Sequence, residues 1–122
     1  MVEALMRSYY TAYNAVDAEA LRALLAPNVA LVSALGTQEG RDAYLATYAF
    51  MTGNFIDQMH PQSIKVAGNV ATVRIRNDLT ARNDIPDFMG QPIARGQQIV
   101  LDLVGKYTIA GGRISRIEIA QG

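Results

Sequence analysis

The chain has 122 residues, half of them apolar, with eleven basic residues balancing eleven acidic ones and no cysteine. A chain of this length forms a single domain (residues 1–122) around one core. The balanced charge provides no attraction to nucleic acid or anionic lipid, and the lack of cysteine excludes disulfides and thiolate chemistry. The N-terminus lacks the apolar run of a signal peptide, and no apolar segment is long enough to span a membrane. We therefore expect a cytoplasmic protein that binds neither nucleic acid nor membranes.

Two helices are predicted at the N-terminus. The first runs to about Asn14, and its apolar residues recur every three or four positions, as one helical face requires. This apolar stripe consists of Val2, Leu5, Met6, Tyr9, Tyr13 and Val16. Asp17 can cap a short second helix, which Pro27 ends. Because a buried tyrosine needs a partner for its hydroxyl, Tyr9 and Tyr13 predict a core with a polar lining.

A strand and a third helix follow. The alternating segment from Val29 to Leu35 predicts a strand, and the next five residues, 36–40, predict a turn. The third helix begins at about Arg41 and ends at Gly53, which is placed as a C-terminal glycine cap. Its predicted buried face consists of Tyr44, Leu45, Tyr48 and Met51.

The C-terminal half predicts only strands and turns. Four strands are expected at Met59–Ala67, Val70–Arg82, Gln97–Ile109 and Arg113–Ala120. Glycine-containing hairpin turns join the first pair and the last pair. The loop from Asn83 to Pro92 links the two pairs, and we expect it to form a mobile rim. Early helices followed by antiparallel strands are typical of an α+β fold.

The order and spacing of these segments resemble the nuclear transport factor 2-like superfamily, in particular its SnoaL-like and ketosteroid isomerase-like members. The similar segments are YNAVDAEALRALLAPNVAL, VAGNVATVRI, FMGQPIARG and GGRISRIEI, and the resemblance extends from Leu5 to Ile119. It implies a cone-shaped α+β barrel, in which three N-terminal helices pack on a curved, mainly antiparallel sheet around a hydrophobic pocket. It also implies a homodimer.

Strand alternation predicts which polar side chains face this pocket, because successive residues point to opposite faces. The more apolar set of each strand is assigned to the inside. The predicted inner polar residues are Tyr9, Tyr13, Ser33, Tyr48, His60, Asn77 and Tyr107. On the predicted strands Val70–Arg82 and Gln97–Ile109, the residues of opposite parity mix charges with valines and predict a dimer contact on the outer sheet face. That outer set comprises Arg74, Arg76, Asp78, Val100, Asp102 and Val104.

His60 is the only histidine and the natural candidate for a proton carrier. Its position resembles that of a catalytic histidine in scytalone dehydratases, and Tyr13-Asn14 matches the tyrosine–aspartate pair of that group. Asparagine cannot take up a proton at neutral pH, however, and a second histidine is missing. The alternative is a structural role for His60, which precedes Pro61 at the start of the strand and would form hydrogen bonds to the backbone.

Two other family patterns are incomplete. Tyr9 resembles the oxyanion-binding tyrosine of ketosteroid isomerase, but Ser33 stands at the position of the base and Gly105 near that of the second acid. Arg76 and Asp78 have the Arg-x-Asp spacing of limonene epoxide hydrolase-like proteins. Their parity places them on the outer sheet face unless a bulge inverts the strand.

These observations predict a cofactor-free isomerase-, cyclase- or dehydratase-like enzyme for an apolar polyketide- or steroid-like molecule. His60, Tyr13 and Tyr9 are the candidate catalytic residues. The candidate ligand-binding residues are Asn77, Ser33, Asn14, Tyr48, Tyr107 and Phe88. One histidine and no cysteine leave no metal site. The alternative is a ligand-binding or dimeric association module of the same fold without catalysis.

Overall fold

The computed structural model describes all 122 residues, which form three helices and eight strands. The helices are α1 (Val2–Asn14), α2 (Ala18–Leu24) and α3 (Arg41–Asn54). The strands are β1 (Leu25–Ser33), β2 (Gly36–Glu39), β3 (Phe55–Ala67), β4 (Val70–Ala81), β5 (Ile85–Phe88), β6 (Gln91–Ile93), β7 (Gln98–Ala110) and β8 (Arg113–Gln121). None of the helices has the length and apolar character that crossing a membrane requires.

Six strands form one curved sheet in the order β2-β1-β8-β7-β4-β3, and β5 and β6 form a separate hairpin. All neighbours in the large sheet are antiparallel except β1 and β8, which are parallel. The predicted α+β fold, with three helices against a mainly antiparallel sheet, is confirmed. The sheet does not close into a complete barrel, because β2 and β3 remain as edges.

The core lies between the helices and the inner face of the sheet, and all six tyrosines are buried in it. Helix α1 contributes Tyr9, Tyr10 and Tyr13, so its buried face is wider than the predicted stripe. Val16 is not part of that face. It lies in the turn after α1 with a positive φ of 55°, and its side chain is exposed.

Several predicted boundaries are wrong. Residues 36–39 form strand β2, which pairs with β1, instead of a turn. Gly53 lies inside α3 and caps nothing, because the chain passes directly into the extended backbone of Phe55. The predicted loop from Asn83 to Pro92 contains the β5–β6 hairpin.

The predicted faces of β1, β4 and β7 agree with the structure, but the face of β3 does not. Along β3 the inward side chains are Phe55, Asp57 and Met59, so His60 points outward. A β-bulge between Pro61 and Ser63 then shifts the register by one residue. A bulge inverts the alternation of inward and outward side chains. The inner face was assigned from the apolar residues that follow the bulge, so the assignment is wrong for His60, which precedes it.

Candidate active site

A cavity of about 140 Å³ opens between α1, α3, the inner face of the sheet and the β5–β6 hairpin. Seventeen of its 22 lining residues are hydrophobic, and they include five of the six tyrosines. Asp57 is the one charged residue of the lining. Ligand pockets commonly combine apolar walls with a few converging polar groups, so this cavity is the candidate site.

The carboxylate of Asp57 accepts one hydrogen bond on each oxygen. The Tyr13 hydroxyl donates to Oδ2 at 2.7 Å, and Nδ2 of Asn77 donates to Oδ1 at 2.7 Å. Asn77 also donates to the carbonyl oxygen of Gln58 at 3.0 Å, so both of its amide protons have protein partners. Asp57 is only 2% exposed, and none of the groups that hold it carries a charge.

Burial raises the pKa of Asp57 above its ordinary value, while the hydrogen bonds from Tyr13 and Asn77 lower it and offset part of that effect. Burial disfavours the charged carboxylate, whereas donors stabilise it. Carboxyl groups that act as catalytic acids or bases commonly lie in a cleft and have a raised pKa.

The Tyr13 hydroxyl is positioned by the end of α1. Asn14 makes two hydrogen bonds to the backbone of Met59 on the edge strand β3: its Nδ2 donates to the carbonyl oxygen at 2.8 Å, and its Oδ1 accepts from the amide at 2.8 Å. The Tyr48 hydroxyl donates to the carbonyl oxygen of Tyr13 at 2.6 Å. The Asn14 contacts attach α1 to the strand that carries Asp57, and the Tyr48 contact attaches α1 to α3.

A second polar group in the cavity is the hydrogen-bonded pair of hydroxyls of Tyr9 and Tyr44. Each phenol has one proton, and only one of the two protons lies between the oxygens. The other proton has no acceptor among the protein groups and is available to a ligand. Burial raises the pKa of both tyrosines, so both hydroxyls stay protonated.

The structure brings together most, but not all, of the residues predicted for the site. Those that line the cavity are Tyr9, Tyr13, Ser33, Tyr48, Asn77, Phe88 and Tyr107. Asn14 lies outside it and anchors α1. His60 is on the opposite face of the sheet, where its Nε2 is 3.2 Å from Oδ2 of Asp78, so the prediction that it faces the pocket is wrong. Phe88 is buried against Phe55, whereas its neighbour Met89, which also lines the cavity, is exposed.

Sequence reasoning missed Asp57 and Tyr44. Asp57 precedes the predicted start of its strand, which begins at Phe55 in the structure. With the strand extended to Phe55, the alternation Phe55, Asp57, Met59 would have placed a single carboxylate among apolar inward side chains. Tyr44 was predicted to be buried on α3, but nothing in the sequence indicated that it pairs with Tyr9.

The sequence profile of the SnoaL-like domain matches residues 6–117 of this chain. The protein belongs to the SnoaL-like family. This membership confirms the resemblance seen in the sequence. Among proteins of curated function, none matches the chain significantly.

Solved structures of similar fold include three that are described as proposed polyketide cyclases. The one from Silicibacter sp. has a TM-score of 0.86 at 21% identity, covering 99% of this chain and 88% of that one. The one from Pseudomonas putida has a TM-score of 0.78 at 26% identity, covering 97% and 89%. The one from Sinorhizobium meliloti has a TM-score of 0.74 at 25% identity, covering 95% and 93%.

Proposed function

We propose that this SnoaL-like protein catalyses proton transfer on an uncharged carbonyl compound, as an isomerase or cyclase of polyketide-like substrates does, with its own side chains as acid and base. The observation that carries the proposal is Asp57, a carboxylate buried in an apolar cavity and held only by the neutral donors of Tyr13 and Asn77. The names of the similar proteins agree with a carbonyl substrate. His60 has no part in this proposal.

Asp57 is the base. In its ionised form it takes a proton from the carbon next to the carbonyl group, and the electron pair of the broken C–H bond moves onto the carbonyl oxygen as an enolate. The protonated Asp57 then returns the proton to a carbon of the enolate, and the carbonyl double bond forms again. Tyr13 and Asn77 keep the carboxylate in place through both steps.

The uncommitted hydroxyl proton of the Tyr9–Tyr44 pair stabilises the enolate oxygen. Donors that are already oriented in a site with little water lower the energy of a developing negative charge without reorganising. The raised pKa of Asp57 contributes as well, because a base is most effective when its pKa approaches the working pH.

The test uses cyclohex-3-en-1-one, a single-ring ketone that isomerises to the conjugated cyclohex-2-en-1-one by this proton transfer, with a change in ultraviolet absorbance. We expect catalysis by the wild-type protein and a loss of roughly 10²- to 10⁴-fold in Asp57→Asn, the usual contribution of a general base. Asp78→Asn is the matched control on the outer face. Equal rates in Asp57→Asn and the wild type would contradict the proposal, and binding of the ketone without turnover would support a ligand-binding role instead.

We also propose that the outer face of the sheet forms a homodimer contact. Ile56 and Val100 are 47% and 55% exposed there, among the charges of Arg76, Asp78 and Asp102. Apolar patches among charges of both signs suit a two-fold contact with a second copy. Sedimentation at micromolar concentration should show a species of twice 13.2 kDa, and Val100→Glu should convert it to the monomer. A wild-type protein that sediments only as a monomer would contradict this.

A further inference from the structure

Tyr107 lies in the middle of β7, and the glycine two residues before it on the same face makes room for its ring. A Cβ atom added at Gly105 would lie 2.7 Å from Cε1 of Tyr107, which is closer than real contacts allow, and 3.1 Å from Cζ, which is a tight contact. The backbone of Gly105 has no positive φ, so space and not backbone conformation requires glycine here. The far end of the Tyr107 ring therefore lies over Gly105, toward Leu103, and both Tyr107 and Leu103 line the cavity.

The hydroxyl of Tyr107 accepts a hydrogen bond from Tyr10 at 2.9 Å. Tyr10 is buried behind the cavity and does not line it. Because the proton in this bond belongs to Tyr10, the proton of Tyr107 is uncommitted, and no protein group accepts it. Burial raises the pKa of Tyr107, so this proton remains in place across the neutral range.

Two uncommitted hydroxyl protons thus belong to neighbouring tyrosines of the cavity lining, one to Tyr107 and one to the Tyr9–Tyr44 pair. The rings of Tyr9 and Tyr107 pack edge to face with centroids 5.5 Å apart, and one proton of the Tyr9–Tyr44 pair is also free. The lining has no lysine, arginine or histidine, so nothing there neutralises an anionic ligand, and Asp57 repels one. The volume of about 140 Å³ is close to that of an engineered cavity of roughly 150 Å³ that binds benzene.

We propose that Tyr107 donates a hydrogen bond to the oxygen of an uncharged, single-ring ketone or phenol, and that Tyr10 is a positioning residue that orients its hydroxyl. The substrate class rests on the proposed function. Larger molecules would place one ring in the cavity and extend the remainder through the mouth. The hydrogen bond itself requires no chemistry and can be measured with ligands that are not turned over.

The experiment compares the binding of 4-methylphenol and toluene, two rings of similar size of which only one has an oxygen. Calorimetric titration at pH 6 keeps the phenol uncharged. We expect Tyr107→Phe to weaken 4-methylphenol binding by roughly threefold to tenfold, the value of one net hydrogen bond, and to leave toluene binding unchanged. Ser115→Ala is the control. It removes a hydroxyl on β8 that donates a hydrogen bond to the carbonyl oxygen of Thr108 on β7, and neither residue lines the cavity.

Tyr10→Phe tests the positioning role. We expect a loss smaller than that measured for Tyr107→Phe and at most about threefold, again for 4-methylphenol alone, because the hydroxyl of Tyr107 loses its fixed orientation. A merely structural role for Tyr10 would weaken both ligands equally. If Tyr107→Phe leaves the Tyr10 hydroxyl unpaired and unfolds the protein, the double variant Tyr10→Phe/Tyr107→Phe removes both partners and is expected to fold.

Equal losses for both ligands in Tyr107→Phe, unchanged binding of both, or no binding of 4-methylphenol by the wild-type protein would each overturn the inference. The proposed catalysis is tested separately through Asp57. A protein that fails to isomerise cyclohex-3-en-1-one but shows the selective loss in Tyr107→Phe would refute the catalytic proposal and retain the Tyr107 contact.

Discussion

Asp57 and Asp78 lie on neighbouring strands, and each accepts contacts on both carboxylate oxygens, but they face opposite sides of the sheet. Asp57 is buried and its partners are the neutral groups of Tyr13 and Asn77. The side chain of Asp78 is 37% exposed, and its partners are Arg76 at 3.0 Å and His60 at 3.2 Å. One aspartate is therefore desolvated without a countercharge, and the other is solvated beside a cation.

This difference identifies which of the two can act on a ligand. Neutral donors orient Asp57 but leave its negative charge uncompensated, so burial raises its pKa and the proton can be exchanged. An exposed ion pair such as Arg76–Asp78 contributes little free energy and reaches no cavity. In the sequence, Asp78 attracts attention because it follows Arg74 and Arg76. The cavity is instead lined by Asn77, the residue next to it, and by Asp57 on the adjacent strand.

After the loss of Asp57 itself, the largest expected effect is the loss of a hydrogen-bond donor to Asp57. Asn77→Leu removes the amide that stabilises the ionised carboxylate, with an apolar side chain of similar size. We expect the isomerisation rate at neutral pH to fall roughly tenfold or more, as for the loss of a hydrogen bond to a charged group. The midpoint of the pH–rate profile should move to higher pH, because the hydrogen bond from Asn77 lowers the pKa of Asp57.

Asp78→Asn is the matched control for that prediction, since it changes the next residue of the same strand on the opposite face. Its rate and midpoint should equal those of the wild type. A loss in Asp78→Asn together with an unaffected Asn77→Leu would mean that the outer face carries the activity, as the epoxide hydrolase-like spacing of Arg76 and Asp78 suggests.

The sequence alone predicted the helices, the central strands and the inner position of Asn77. This was possible because β4 and β7 are regular and internal, and buried and outward residues of β4 alternate without interruption from Val73 to Leu79. Binary alternation determines the face of a strand whose register is constant. The hydrophobic spacing of α1 likewise indicated that Tyr9 and Tyr13 point inward.

The alternation could not be read along β3, and this strand carries Asp57. It is an edge strand whose backbone is partly bonded to Asn14, and its bulge near Pro61 reverses the faces of the residues before it. Within strands, proline is tolerated at edges and bulges, so Pro61 was the one sign in the sequence that this strand could be an edge strand with a bulge. The hydroxyl pairing of Tyr9 with Tyr44 depends on tertiary contacts between α1 and α3, which no local pattern encodes.

A smaller effect is expected on stability. The folded state raises the pKa of Asp57 above its ordinary value of 3.8, so between these two pKa values the folded protein binds more protons than the unfolded chain. The free energy of unfolding therefore falls as pH rises through this window. Asp57→Asn lacks this titration, and its amide oxygen can still accept a hydrogen bond from Tyr13.

Thermal unfolding at pH 4 and pH 8 measures this. The Tm of Asp57→Asn minus that of the wild type should be larger at pH 8 than at pH 4, because only the wild type loses the stabilising effect of the raised pKa of Asp57. Asp78→Asn, with an exposed side chain, should not show this gain. The prediction fails if the difference between Asp57→Asn and the wild type is the same at both pH values.

The smallest effect is expected at His60, the residue that the sequence favoured as proton carrier. Its side chain is 49% exposed, and its one charged contact is Asp78 on the outer face. His60→Gln keeps a polar side chain but cannot carry a proton at neutral pH. The isomerisation rate should change by less than about twofold, and the free energy of unfolding by no more than about 1 kcal/mol, the range for an exposed ion pair. Isomerisation at several pH values and urea unfolding check both numbers. A loss of roughly 10²-fold or more in His60→Gln would mean that β3 carries its bulge elsewhere, with His60 inside the cavity and Asp57 outside it.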